Sequence, residues 1–417
     1  MDMRLYLDSA RMGLMSERAR MALNDYGSCA AKYGCSLHFS TLLEHGFHAC
    51  PEIMQQHFPA LADWHGVPEL LSKIRRLVGV DDDCEVLLAN RSFELVRTAI
   101  RQLVQRSKRI LTTDLNWPEY QAILQREARR FDAELVTVRL RHEFTNYYPQ
   151  RRLSAQEIAQ LYLRTFQQMD CDGALFPAIS HDGIRLPADS ICAEMRTISP
   201  HAFLVIDGAQ AIGHVPDELG LRHCDVFFGG VHKWLCAHVP MGIALLPRVK
   251  DIFHNNNNNN LISGMVKMNE PLLHFVQGLV TGELSSQSET VNLASLFTTR
   301  AALADIDASP TGVAQRLRER QYNAEQVRMV ASQTGWYCQS ECLPTGTVMI
   351  QHADERIQAV SASQLRKHFI CQRVSATTYE NGFVRLAMPD VRLSMNELSC
   401  LMTALVRCLH PKPLMAA

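Results

Sequence analysis

The chain has 417 residues, too many for one simple core, and this length points to a large domain with a smaller companion. Its 47% hydrophobic and 20% charged residues are ordinary for a globular protein, and a formal net charge of -1 provides no global field for nucleic acid or an anionic membrane. No apolar run is long enough to span a bilayer, and the opening MDMRLYLDSARMG lacks the basic and apolar regions of a secretion signal, so a cytoplasmic location is expected.

In chain order, the first unusual segment gathers Cys29, Cys35, His38, His45, His48 and Cys50. Its spacing matches no paired Cys-x-x-Cys framework, so no metal site is expected there. From Val86 the pattern becomes an apolar run (VLLAN), an amphipathic helix (RSFELVRTAIRQLVQRSKR) and a second apolar run (ILTTD), which reads as a βαβ unit. The runs AELVTV, GALFPAIS, AFLVID, CDVFFGG and MGIALL continue the series, several separated by helical patterns such as SAQEIAQLYLRTFQQ. Short apolar runs alternating with helices predict an α/β fold with a mainly parallel sheet covered on both faces. The low-complexity run Asn255–Asn260 has no apolar face and reads as a surface loop.

After Gly282 the pattern changes to two long helical stretches, the strand-like runs TVMIQH and FVRLAM, and a closing helix, SMNELSCLMTALVRCL. A large domain over 16–285 is expected, with 1–15 and 286–417 forming a smaller α+β domain. Thirteen cysteines scattered over this length suggest reduced, mostly buried side chains rather than a disulfide framework.

The chemistry concentrates between Phe203 and Pro247. Asp207 closes one apolar strand, and Lys233 follows another. In an open α/β sheet, ligands bind beyond the carboxyl ends of the strands, so both groups can reach one edge. Spacing alone does not make them a pair, because strand-end Asp residues commonly cap helices and lysines commonly sit in solvent. The whole stretch is more specific: Asp207-Gly208-Ala209-Gln210, Gly213-His214-Val215-Pro216, Asp225-Val226-Phe227-Phe228 and His232-Lys233-Trp234. It resembles the class V aminotransferase family, a branch of the fold type I pyridoxal 5'-phosphate (PLP) enzymes. The wording His232-Lys233-Trp234-Leu235-Cys236 is most similar to the isopenicillin N epimerase and cysteine lyase branch.

This resemblance implies that Lys233 carries PLP as a Schiff base and that Asp207 faces the pyridine nitrogen. It further implies that Gln210 meets the ring hydroxyl, that His232 contacts cofactor or phosphate, and that Trp117 stacks on the ring. Asn90-Arg91-Ser92 stands at a phosphate-binding helix start, where Ser92 could equally be a plain helix cap. Ser180-His181 resembles a loop that reaches the cofactor, and Tyr6-Leu7-Asp8-Ser9-Ala10 the family's opening strand. Thr290 in SETVN resembles a residue reaching the phosphate of a neighbouring subunit, which implies a homodimer. Arg385, helped by Arg373, would grip a substrate carboxylate, since guanidinium binds carboxylates bidentately.

Two positions depart from the family pattern. Gly230 stands where many relatives have a phosphate-binding Ser or Thr, and Glu289 replaces a Gly before Thr290. A cysteine desulfurase would need a nucleophilic Cys shortly before the carboxylate arginine. VSATTYENGFV contains none, and Cys371 in FICQRV is expected to be buried in a strand. The expected activity is therefore PLP-dependent transamination of an amino acid or amine, with elimination or epimerisation as the runner-up and a catalytically silent binding protein as the third reading.

Overall fold

The apolar runs of the first 250 residues become one seven-stranded sheet. The computed structural model describes residues 5–34, 37–145, 153–216, 219–248, 270–282, 291–309 and 312–408. In chain order the strands are β1 (Leu5–Tyr6), β2 (Glu85–Ala89), β3 (Arg109–Thr113), β4 (Glu134–Val138), β5 (Gly173–Pro177), β6 (Phe203–Asp207), β7 (Val226–Gly230) and β8 (Gly242–Leu246). The large sheet has the order β2-β8-β7-β6-β5-β3-β4. Strands β3 to β7 pair in parallel, and β8 runs antiparallel to both β7 and β2.

Strand periodicity divides the interior in two. Val86, Leu88, Leu204, Ile206 and Phe227 point into one core, whereas Leu87, Val205, Val226 and Phe228 point into the other. Because successive strand side chains alternate faces, a strand buried on both sides must be apolar throughout, as these runs are. The helices Ser92–Arg106 and Pro118–Phe131 cover one face. Val67–Val78, Ala155–Gln168, Ala188–Ile198 and Ala294–Asp307 contribute to the other. The mainly parallel α/β architecture is thus as the sequence predicts.

The expected βαβ unit differs in one respect. Both strands and the helix form, but β2 lies at the sheet edge, with four strands between it and β3. The helix Ser92–Arg106 packs across β5, β6, β7 and β8 before the chain enters β3, so the crossover spans the sheet instead of joining neighbours.

The C-terminal part builds a second layer: β9 (Trp336–Cys338), β10 (Thr347–His352), β11 (Val374–Ser375), β12 (Thr377–Thr378) and β13 (Phe383–Ala387). Four of these form an antiparallel sheet in the order β12-β13-β10-β9. Helices Gly312–Gln333, Ala362–Cys371 and Met395–Arg407 close a third core over it. The N-terminal β1 pairs in parallel with β11, and Asp8 bridges to Ala387.

FICQRV is not one strand. Cys371 ends a helix and is exposed, Arg373 turns the chain with a φ of 61°, and extended structure begins only at Val374. The described cysteines are all free, and most are buried. Among the described residues no helix is long and apolar enough to cross a membrane, and no group of three or more His, Cys, Asp or Glu side chains could hold a metal. Cys35, the His38 side chain, Asn255–Asn260, Glu289 and Thr290 lie outside the described residues.

Candidate active site

Parallel strands deliver their carboxyl-end loops to one edge. Strand β6 ends in Asp207, β7 ends three residues before Lys233, β5 leads to Ser180 and His181, and β3 leads to Trp117. These loops meet the N-terminal segment and the second layer around a cavity of about 460 Å³. Its walls include Ala10, Arg11, Trp117, Tyr120, His181, Asp207, Gln210, Lys233, Thr377, Tyr379 and Arg385. A separate, larger cleft of about 790 Å³ lies around Cys371, Arg373 and Arg407 and shares no residue with the first. Volume does not make it the site, because Lys233 and Asp207 are both in the smaller cavity.

Lys233 and Asp207 have displaced acidities. Burial pushes the Lys233 ammonium down to about 8, with Asp207 pulling it back up and Arg385 adding to the depression. Burial raises the Asp207 carboxyl to about 6, opposed by the Ala209 amide, which donates to Oδ1 at 2.8 Å, and by Lys233. The result is a desolvated amine and a desolvated carboxylate that favour each other's charge.

Arg385 is almost wholly buried, at 4% exposure, so it is not a surface cation. It donates to the His181 carbonyl at 2.7 Å and to Thr377 Oγ1 at 3.1 Å, and pairs with Asp8 at 3.6 Å. Its Nε has no protein partner among the described residues. Asp8, which also accepts from Thr377 Oγ1, was not singled out by the sequence reading as a partner of this arginine. Arg373, expected to assist, lines the separate cleft instead. Its left-handed turn lies between the helix Ala362–Cys371 and β11, and Arg385 is served by Asp8 and Thr377 in its place.

Trp117 is 39% exposed at the cavity wall and meets the His181 ring edge-on, with centroids 5.1 Å apart. Tyr379 approaches the same imidazole at 6.0 Å. Burial pushes His181 down to about 4, so the ring is neutral near pH 7. The Ser180-His181 pair therefore divides its roles. Ser180 turns inward, its hydroxyl bonded to Asp182 and accepting from the Ile184 amide, and His181 faces the cavity.

Gln210 lines the cavity with its side chain already engaged. Its amide donates to the Ala10 carbonyl at 2.8 Å, and its Oε1 accepts from the Trp234 indole at 2.7 Å. At most one amide hydrogen is left for any ligand. His232 is held neutral by burial and by Lys233, its acidity pushed down to about 4, and its Nδ1 has no partner among the described residues. The His232 ring packs against Gly230, where a Cβ would sit 3.1 Å from Cε1. A Ser or Thr at 230 would press on that ring, which gives the sequence departure a steric reason.

Arg91 caps the helix that starts at Ser92 without a side-chain capping bond, and it points outward. Tyr120 joins Ser92 to the cavity by a hydrogen bond. Gly242 in β8 allows the Ser92 backbone to close in, since a Cβ there would lie 2.5 Å from it. A carboxylate missed in the sequence, Glu270, accepts the Asn90 amide at 2.7 Å beside this helix start. The N-terminal segment is fastened to the lysine loop as well. The Gly13 amide donates to the His232 carbonyl at 2.8 Å, and a Cβ on Gly13 would fall 2.0 Å from the Lys233 carbonyl oxygen.

The architecture is that of the fold type I PLP-dependent enzymes. No protein-family model matches the chain. An isopenicillin N epimerase from Streptomyces clavuligerus is 31% identical over 189 residues, 43% of this chain and 43% of that protein. The match thus spans less than half the length of that curated relative. Among solved structures, a cysteine desulfurase from Thermococcus onnurineus NA1 superposes with a TM-score of 0.67 at 14% identity, covering 97% of this chain and 94% of that one. An alanine–glyoxylate aminotransferase from Nostoc sp. gives a TM-score of 0.64 at 14% identity, with 98% and 96% covered. The solved structures share the fold at low identity, and the stretch similar to the epimerase covers less than half of the chain.

Proposed function

We propose that the chain is a PLP-dependent enzyme acting at the α-carbon of an amino acid or related primary amine, most simply as a class V aminotransferase. The observation that carries this reading is the presence of Lys233, Asp207 and Arg385 on the walls of one cavity. The donor set fits the cofactor: an amine for its aldehyde, a buried carboxylate for its pyridine nitrogen, and Trp117 beside the ring. The helix start at Ser92 and the free Nδ1 of His232 are available to its phosphate. When bound, PLP supplies the electron sink for negative charge at the substrate α-carbon.

The protein's own residues do the rest. Arg385 holds the substrate carboxylate from a position fixed by the His181 carbonyl, Thr377 and Asp8. Lys233, with acidity near neutrality, takes a proton at the α-carbon and returns it. Asp207 is ionised above about pH 6 and keeps the ring nitrogen protonated. Gln210 serves this arrangement by position, tying Ala10 to Trp234. Thr290 supports a homodimer as the active unit by the same family resemblance, and sedimentation of the holoenzyme tests it.

Epimerisation is the second reading, favoured by the 31% identity to an isopenicillin N epimerase. The lyase reading rests on the same branch. None of the described residues lining the cavity is a cysteine, which leaves a desulfurase without its nucleophile there. A stoichiometric reaction separates the readings. With amino acid and no acceptor, a transaminase releases about one equivalent of 2-oxo acid per subunit and stops. Repeated turnover, giving ammonia or an inverted amino acid, replaces transamination with the lyase or epimerase reading.

A further inference from the structure

The cations of the cavity are not equivalent. Lys233 is balanced by Asp207, and the Arg385 guanidinium by the buried Asp8 carboxylate at 3.6 Å. Arg141, behind His181, is paired with Asp182. Arg11 is different: it lines the same cavity, is exposed, and takes part in no salt bridge among the described residues. Its charge acts on the Tyr6 hydroxyl, which is itself bonded to the Met12 carbonyl.

The backbone around Arg11 is held from every side. The Arg11 and Met12 amides both donate to the Asp8 carbonyl, forming a tight turn. Ala10 is held by Gln210, and Gly13 by the His232 carbonyl. Asp8 is bonded to Thr377. Arg11 is thus the projecting residue of a turn bolted to both the lysine loop and the carboxylate clamp. A fixed backbone carrying an unneutralised guanidinium at a cavity wall is an anion receptor with part of its ordering cost already met.

We propose that Arg11 recognises a second anionic group on the substrate, so that the substrate is an amino acid with a distal carboxylate. This deepens the PLP reading and rests on it. Arg385 takes the α-carboxylate at the inner end of the cavity, and Arg11 takes the distal one. Arg11 is a specificity-determining residue in this account, with no part in the proton transfer.

The test uses the PLP-loaded protein and two five-carbon probes that do not react, glutarate and pentanoate, titrated by calorimetry. Wild type should bind glutarate about tenfold tighter or more, as expected for one added charge-assisted contact. Arg11→Ala should reduce that ratio to the roughly twofold statistical advantage of two carboxylates and leave pentanoate unchanged, whereas Arg11→Lys should keep part of it. The preference should also shrink at high salt, because Arg11 is exposed. Equal affinities in wild type, or equal loss of both probes in Arg11→Ala, would overturn the proposal. So would loss of cofactor in that variant, which would assign Arg11 to the cofactor instead. Failure of the underlying reading has a separate signature: wild type would take up no PLP at all.

Discussion

Trp234 donates its indole N–H to Gln210 Oε1 across 2.7 Å, and this bond joins the residue after the lysine to the loop after Asp207. The indole is wholly buried, with His214 stacked on it at 3.7 Å and the Arg320 guanidinium 5.0 Å from its ring centroid. His214 in turn accepts from the Gly346 amide and bonds the Gln210 carbonyl, so one stack links both layers of the fold.

Trp234→Phe keeps much of the stacking but leaves Gln210 Oε1 buried without its donor. An unsatisfied buried acceptor costs about 1–3 kcal/mol. We predict a loss of stability in that range in urea unfolding, accompanied by slower turnover, because the Lys233 loop is held through this bond. Unchanged turnover at the reduced stability would show that the bond supports the fold alone.

The acidity of Lys233 gives a pH prediction. With the amine pushed down to about 8, the neutral nucleophile is in the majority above that pH, not above the usual lysine value near 10.5. PLP loading of cofactor-free protein, followed by borohydride trapping and peptide mapping, should place the label on Lys233. The trapping rate should rise up to about pH 8 and then level off. Asp207→Asn should move the midpoint lower, since Asp207 favours the charged amine. The same variant should still hold PLP and lose most turnover.

Arg385→Lys keeps a positive charge but loses the planar fork that spans the His181 carbonyl and Thr377. We predict a KM for an amino acid raised about 10- to 100-fold, consistent with about 1.5–3 kcal/mol for a charge-assisted bond, and PLP affinity little changed. A carboxylate-free amine should not feel the substitution, and steady-state kinetics with both substrates make the comparison.

Cys371 is the exposed cysteine of the described set and lies in the cleft with Arg373, apart from Lys233. We predict that iodoacetamide labels it first and that Cys371→Ser retains full activity with any amino acid substrate. Activity lost on alkylation of Cys371, with protection by substrate, would bring that cleft into the chemistry.

The sequence carried the large sheet because strands buried on both faces must be continuously apolar, and β5 to β8 read that way. The same logic could not give their order, since β2 and β3 look like neighbours until the helix between them is seen to cross the sheet. Lys233, Asp207, Trp117 and Arg385 were legible through a continuous motif or a strand pattern. Asp8 and Arg11 come from the N-terminal segment and Tyr379 from the second layer; Asp8 meets Arg385 while Arg11 and Tyr379 line the cavity, so their meeting is a property of tertiary structure. Arg373 lies in the left-handed turn just before β11 and lines the separate cleft, a placement that its sequence proximity to Arg385 does not reveal. Gln210 lines the cavity, and its bonds to Ala10 and Trp234 became visible only with the fold.

The pairing of β1 with β11 also bears on synthesis. Asp8 and its hydroxyl partner Thr377 are 369 residues apart in sequence. At about 5–20 residues per second on a ribosome, the first segment waits roughly 20–70 s for its strand partner to be made. Once the lysine loop has been made, the turn bearing Arg11 can find it, but the clamp around Arg385 is still missing. The Arg385 side of the cavity is therefore among the last features to assemble, and a nascent chain stalled before residue 370 would expose an unpaired strand edge at β1 for chaperones to cover.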